Sequence, residues 1–152
     1  MTQPSVFNST TPRFSLPLLF AGQAQKEFFV NEAHVLIDVL MHMSVKGLAS
    51  TPPSAPAEGE CWLVDATPVG EWAGHIDSIA FFAAGAWSFL NPVPGMRVFN
   101  ISQGQYHLFD GKWNASGAVA IPTGGATVDI EARQTIEGLL SALQSQGILP
   151  SS

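Results

Sequence analysis

Charge is scarce in this sequence: 12% of its 152 residues are Asp, Glu, Lys or Arg, against 46% that are hydrophobic. Soluble domains carry roughly 25% charged residues, so a surface of Ala, Gly, Ser, Thr and Pro must here take the place of ions, and it invites protein contacts. Cations are scarcer still. Six Lys and Arg stand against twelve Asp and Glu, a formal charge of -6, which leaves no basic face for a phosphate backbone or an anionic membrane. Neither nucleic acid nor a membrane is an expected partner. A single cysteine, Cys61, excludes an internal disulfide and a multi-cysteine metal site, and reads as a core residue of a protein made in a reducing compartment. Long apolar runs are missing too: Leu16 to Ala21 is short and broken by Pro17, unlike a signal peptide or a membrane span. No phosphate loop, nucleophile elbow or Ser/His/Asp signature is present, so the sequence predicts neither an enzyme nor a cofactor.

What is there predicts an α+β fold: an N-terminal arm and long helix, a small antiparallel β body of aromatic hairpins, and a C-terminal oligomerisation helix. Residues 1–20 are rich in Ser, Thr, Asn and Pro, the composition of an extended arm, with Phe7, Phe14 and Leu16 as apolar anchors that could dock on a neighbouring surface. Residues 21–115 read as the core domain. Within it, Phe29, Ala33, Leu36, Ile37 and Leu40 recur at helical spacing and predict a helix over 23–46, with Gly47 as a left-handed stop and Pro52-Pro53 beyond. That helix, with the arm, is the predicted docking surface.

After a Pro/Ala/Ser linker at 50–59, short aromatic and β-branched runs predict strands at 60–65, 78–83, 86–90, 96–101, 105–109 and 112–115. Two pairs are joined at Ala84-Gly85 and Asp110-Gly111, the latter predicting a type I′ hairpin turn. Gly-x-Trp recurs as Gly70-Glu71-Trp72, Gly85-Ala86-Trp87 and Gly111-Lys112-Trp113; an aromatic strand precedes the second and third, and each of these reads as a hairpin with a Trp leaving its turn. A Gly/Ala linker at 116–127 leads to a helix over 128–148, N-capped by Asp129 and stopped by Gly147. Its positions Ala132, Ile136, Leu139 and Leu143 step by four, three and four, widened by Leu140. A stripe so short must bury on its own β body or against copies of itself, and Ile136, Leu139, Leu140 and Leu143 form the predicted oligomerisation seam.

Three constellations could carry chemistry. His34, Asp38 and His42 share one helical face, but two histidines eight residues apart are separated by about 12 Å and cannot reach one zinc ion. An interface or solvated face is the stronger reading, and no metal is expected. Asp65, Glu71, Asp77 and Asp110 lie near predicted strand ends, yet nothing in their spacing selects a glycosidase pair. The aromatic set Trp62, Trp72, Trp87, Trp113 and Tyr106 admits two readings: rings that fill the core of a small β domain, or rings that stack on sugars. Trp72, Trp87, Trp113 and Tyr106 are the candidate glycan-stacking residues.

The segment Ala21-Gly22-Gln23-Ala24-Gln25-Lys26-Glu27, followed by Asn31-Glu32-Ala33, resembles the opening of a family of small phage-associated proteins of unknown function. The likeness continues through Pro52 to Gly59, Gly70-Glu71-Trp72-Ala73-Gly74-His75 and Phe109-Asp110-Gly111-Lys112-Trp113. This resemblance implies a structural component of a virion, prophage or gene transfer agent particle, made in the bacterial cytoplasm. As a head-spike or fibre base or adaptor it would partner itself, capsid or tail proteins and a spike or fibre protein. The alternative is a carbohydrate-binding module that recognises host capsular polysaccharide through exposed Trp and Tyr. The family brings no catalytic residues to transfer.

Overall fold

The computed structural model describes Leu18, residues 26–121, Gly124, Gly125 and residues 129–150. The arm residues Phe7, Phe14 and Leu16 lie outside the described residues. The chain divides into two compact units, residues 1–92 and 93–152, so the strands that the sequence places in one β body belong to two.

Unit 1 opens with helix α1 (Lys26–Leu40), followed by the two-residue strands β1 (Ser44–Val45) and β2 (Leu48–Ala49), then β3 (Cys61–Val64), β4 (Ile79–Ala83) and β5 (Ala86–Leu90). The predicted helix end at Lys46 is corrected: α1 stops at Leu40, His42 takes the left-handed conformation with φ 47°, and the chain turns into β1. Gly47 is not the stop; its carbonyl accepts a hydrogen bond from the Leu63 N–H at 2.9 Å. The side of α1 that is buried carries Asn31, Val35, Asp38 and Val39. The apolar positions spaced along the other side face outward, with Phe29 77% exposed and Ile37 and Leu40 also exposed. Helical periodicity shows that such a side exists and leaves open which side the fold covers.

The sheet of unit 1 runs β2-β3-β4-β5. It is not purely antiparallel: β2 lies parallel to β3, pairing Leu48 with Leu63 and Ala49 with Val64. Alternation along β3 and β4 sends Cys61, Leu63, Ile79 and Phe81 to one face and Trp62, Val64, Ala80 and Phe82 to the other. The second face is closed by Trp72, which is fully buried against Val64 and Ala80 among Ala49, Trp62, Trp87 and Phe89. Ala80 contributes only a methyl group beneath that indole. Trp72 ends a single 3₁₀ turn at Gly70–Trp72.

The I′ geometry belongs to the other hairpin. Ala83 pairs with Ala86, and the two linking residues Ala84 and Gly85 both have positive φ, 54° and 75°. Glu58 secures that turn: its carboxylate accepts from the N–H groups of Ala84 and Gly85 at 2.9 and 2.8 Å.

Unit 2 holds β6 (Arg97–Asn100), β7 (Gln105–Phe109), β8 (Trp113–Ala115) and helix α2 (Ile130–Ser145). Both pairs are antiparallel, and Phe109 faces Trp113 across a three-residue turn, Asp110-Gly111-Lys112, rather than the two-residue I′ turn predicted there. Helix α2 begins as its sequence predicts, with the Asp129 carboxylate accepting from the Ala132 N–H at 2.8 Å. It ends in a Schellman arrangement: the Ile148 N–H reaches the Leu143 carbonyl and the Gly147 N–H the Gln144 carbonyl, with Gly147 at φ 66°. The Gly147 carbonyl then accepts from the Tyr106 N–H at 2.7 Å, tying the helix end to β7. No residue of α2 itself is buried.

Candidate functional site

Burial alternates strictly along β7. Gln105, His107 and Phe109 point inward, while Tyr106 and Leu108 point out. The pairings Arg97 with Leu108, Phe99 with Tyr106 and Leu108 with Asn114 carry that division onto the neighbouring strands. Arg97, Tyr106, Leu108, Asn114 and Ser116, joined by Ile148 from beyond α2, line an open cavity of about 290 Å³. This sits at the lower limit of the roughly 300–1,000 Å³ of ligand pockets, enough for a single small ring.

The cavity mixes apolar surface with polar groups whose hydrogen bonding is largely unspent. The Arg97 guanidinium lies 4.9 Å from the centre of the Tyr106 ring, a cation–π contact that covers one face of the ring. Phe99 meets the same ring edge-on at 5.1 Å. Held between them, Tyr106 remains 40% exposed. Asn114 donates from Nδ2 to the Lys112 carbonyl at 3.0 Å, which leaves its Oδ1 as an acceptor. A ligand here would meet Leu108 and Ile148 as apolar floor, and the guanidinium, amide oxygen and two hydroxyls as hydrogen-bonding groups.

The predicted stacking residues are not brought together. Trp72 is corrected outright: at 0% exposure it is a core residue and offers no face to a sugar. Trp87 is half-buried in unit 1, its ring 5.0 Å from Trp72 and 5.2 Å from Phe82. Trp113 packs on Phe109 at 5.1 Å and, paired opposite it, lies on the inward side of the sheet, away from Tyr106. Trp62 donates from Nε1 to Glu60 at 2.6 Å. Of the predicted set, only Tyr106 lines the cavity; Arg97, Leu108, Asn114, Ser116 and Ile148 were not singled out by sequence.

The other constellations disperse. His42 has left the helix, so His34, Asp38 and His42 no longer form one helical face, and Asp38 is buried. Among the described residues no group of three or more His, Cys, Asp and Glu side chains is placed to hold a metal ion. Asp65, Glu71 and Asp110 are exposed, Asp77 sits in a turn at φ 62°, and none lines the cavity. No helix among the described residues is long and apolar enough to cross a membrane.

Beneath the cavity, the inward side of β7 carries polar groups. His107 lies 2.6 Å through Nε2 from Gln103 Oε1, and the fully buried Asn100 donates to the same oxygen at 3.2 Å. Gln103 Oε1 accepts, which suits an Nε2–H donor, while Asn100 Nδ2 lies 3.3 Å from the same Nε2; Nδ1 has no hydrogen-bond partner among the described residues. Burial lowers the His107 pKa from the ordinary value of 6.5, because protonation would place an unpaired charge inside the unit. With the folded pKa below the unfolded one, this group's stability contribution is complete above about pH 6.5 and is lost as the pH falls through the folded value. Thermal unfolding followed by circular dichroism should therefore show a steeper loss of Tm between pH 7.5 and 5 in the native chain than in His107→Gln. Parallel curves would remove His107 as the cause.

A comparison with curated proteins finds no match to the chain. A family model does match, over residues 30–114, from within α1 to the middle of β8; α2 lies outside the match. Covering more than half of the sequence, that match shows that the chain belongs to DUF2793, a family described as proteins of unknown function.

Proposed function

We propose that this chain is a binding module and that the outward face of β6, β7 and β8 takes one sugar unit of a host-surface polysaccharide. The observation that carries this reading is Tyr106, an exposed aromatic ring in a small cavity whose polar groups have hydrogen-bonding capacity left. Sugars match such a surface because they present apolar C–H patches beside hydroxyls, and aromatic side chains supply a rigid amphipathic contact. The half-covered ring makes Leu108 and Ile148 part of the apolar contact, with the edge and hydroxyl of Tyr106 beside them.

The test is a glycan pull-down with the whole chain and with Tyr106→Ala, whose side chain faces solvent and can be removed without opening the core. Binding by the native chain and at least about tenfold weaker capture by the variant is the expected result, in line with about 1.4 kcal/mol of lost contact. Equal capture by both would remove Tyr106 from the site.

A second reading is supported by the resemblance to phage-associated proteins and by α2. The stripe Ile136, Leu139 and Leu143 is exposed, Leu139 to 60%, and Leu140 is half-buried beside it. A 16-residue helix with no buried residue gains little from its own unit, and pairing with copies of itself would cover the stripe. In this reading the chain is a homo-oligomeric structural component of a phage-like particle, a spike or fibre base or adaptor, with α1's outward apolar side meeting capsid or tail proteins. The two readings are compatible, since repeated copies would multiply weak sugar contacts by avidity. Leu139→Ser combined with Leu143→Ser should yield monomers by light scattering; an unchanged mass would discard the seam.

A further inference from the structure

Resting on the sugar-binding reading, we infer that the site selects a carboxylated sugar, of the uronic or sialic type, and that Arg97 is the residue that selects it. Twelve Asp and Glu stand against six Lys and Arg in this chain, so a cation would ordinarily be expected to find a carboxylate partner nearby. Arg97 has none among the described residues; its guanidinium lies instead over the Tyr106 ring, at 4.9 Å. Nor does any carboxylate line the cavity. An exposed guanidinium in a concave site, held against an aromatic ring, is a fork with its N–H donors unspent, and carboxylate is the planar anion that accepts two of them at once. Stacking on Tyr106 limits the rotamers of the fork before any ligand arrives, so less freedom is lost on binding.

The other groups narrow the class further. Asn114, its Nδ2 already donating to the Lys112 carbonyl, presents an acceptor through Oδ1, and Ser116 lies beside it in the lining. A ligand that satisfies both ends of the cavity carries an anion for Arg97 and a hydroxyl donor for Asn114. A sulfate ester or a glutamate side chain, ionised at neutral pH, provides the first without the second; a sugar acid provides both within one ring.

The experiment uses the full chain, with affinity measured for polygalacturonate, hyaluronan and polysialic acid, for carboxyl-reduced polygalacturonate and dextran as neutral counterparts, and for poly-glutamate and dextran sulfate as anions of other chemistry. At least one carboxylated polysaccharide should bind ten or more times tighter than the neutral polymers and the two other anions. Arg97→Gln should erase that preference, and Arg97→Lys, which keeps the charge but not the fork, should recover only part of it. Circular dichroism would verify that both variants are folded.

Neutral and carboxylated polymers that bind alike, with binding lost in Tyr106→Ala, would overturn the acidic-sugar inference and leave the sugar-binding reading standing. Poly-glutamate or dextran sulfate binding as tightly would overturn the inference by showing that the cavity reads charge alone. No binding to any polysaccharide would overturn both.

Discussion

Replacing Trp72 by alanine should cost unit 1 about 3–5 kcal/mol, the range for removing a large buried aromatic, and lower its urea midpoint accordingly. Trp72 is fully buried and closes one face of the sheet. Its ring meets Trp87 nearly perpendicular at 5.0 Å and Trp62 at 6.4 Å, so its loss would strip contacts from both neighbours and leave a void over Ala80. Trp72→Phe is the informative companion. The indole Nε1 is buried with no hydrogen-bond partner among the described residues, and an unmet buried donor costs about 1–3 kcal/mol. Phenylalanine removes that donor along with part of the ring, so the two changes offset and the variant should stay within about 2 kcal/mol of the native chain. Denaturant unfolding by circular dichroism compares the three proteins. Equal losses in both variants would mean that the orphaned N–H has no energetic weight.

The second large effect is expected at Gly147. A Cβ there would lie 2.8 Å from Phe99 Cε2 and 3.4 Å from the Gly104 carbonyl oxygen, at a φ of +66°. Left-handed backbone costs a non-glycine residue about 1–2 kcal/mol, and displacing a packed ring typically about 1–3 kcal/mol more. Gly147→Ala should therefore destabilise unit 2 by about 2–5 kcal/mol. Gly111→Ala provides the control: φ is +79° but nothing lies within 4 Å of the new methyl, so only the conformational cost of about 1–2 kcal/mol remains. Comparable losses at the two sites would show that Phe99 yields freely. Because Ile148 lines the cavity and the Gly147 carbonyl is bonded to Tyr106, the Gly147 variant should also weaken ligand capture, which Gly111→Ala should not.

Much of the fold could be read from the residues because it is local. Strands 86–90 and 105–109 match their predicted bounds to the residue, and α2 obeys the Asp129 cap and the Gly147 stop. The misreadings have non-local causes. The preferred I′ turn at Asp110-Gly111 is displaced by Ala84-Gly85, a poorer sequence for positive φ, whose two N–H groups are met by Glu58 from 26 and 27 residues away. Strands β1 and β2 have two residues each, too few to show a period.

The site itself turned on one residue of loop length. A two-residue turn would pair Phe109 with Lys112 and put Trp113 on the same face as Tyr106, giving the aromatic platform that the sequence suggests. The observed three-residue turn pairs Phe109 with Trp113 instead, which sends that indole to the opposite face and sets Asn114 across from Leu108. An amide thus stands where a stacking ring was expected, and Arg97 enters through its own pairing with Leu108.

Cys61, 4% exposed between neighbours on β3 and β4, has a consequence at the bench. With Cys61 sealed away, folded protein left in air offers no accessible thiol through which to form a disulfide with another molecule. Higher-mass species in a preparation made without reductant would then report non-covalent assembly, and their dissolution by dithiothreitol would instead point to molecules that had already lost their fold.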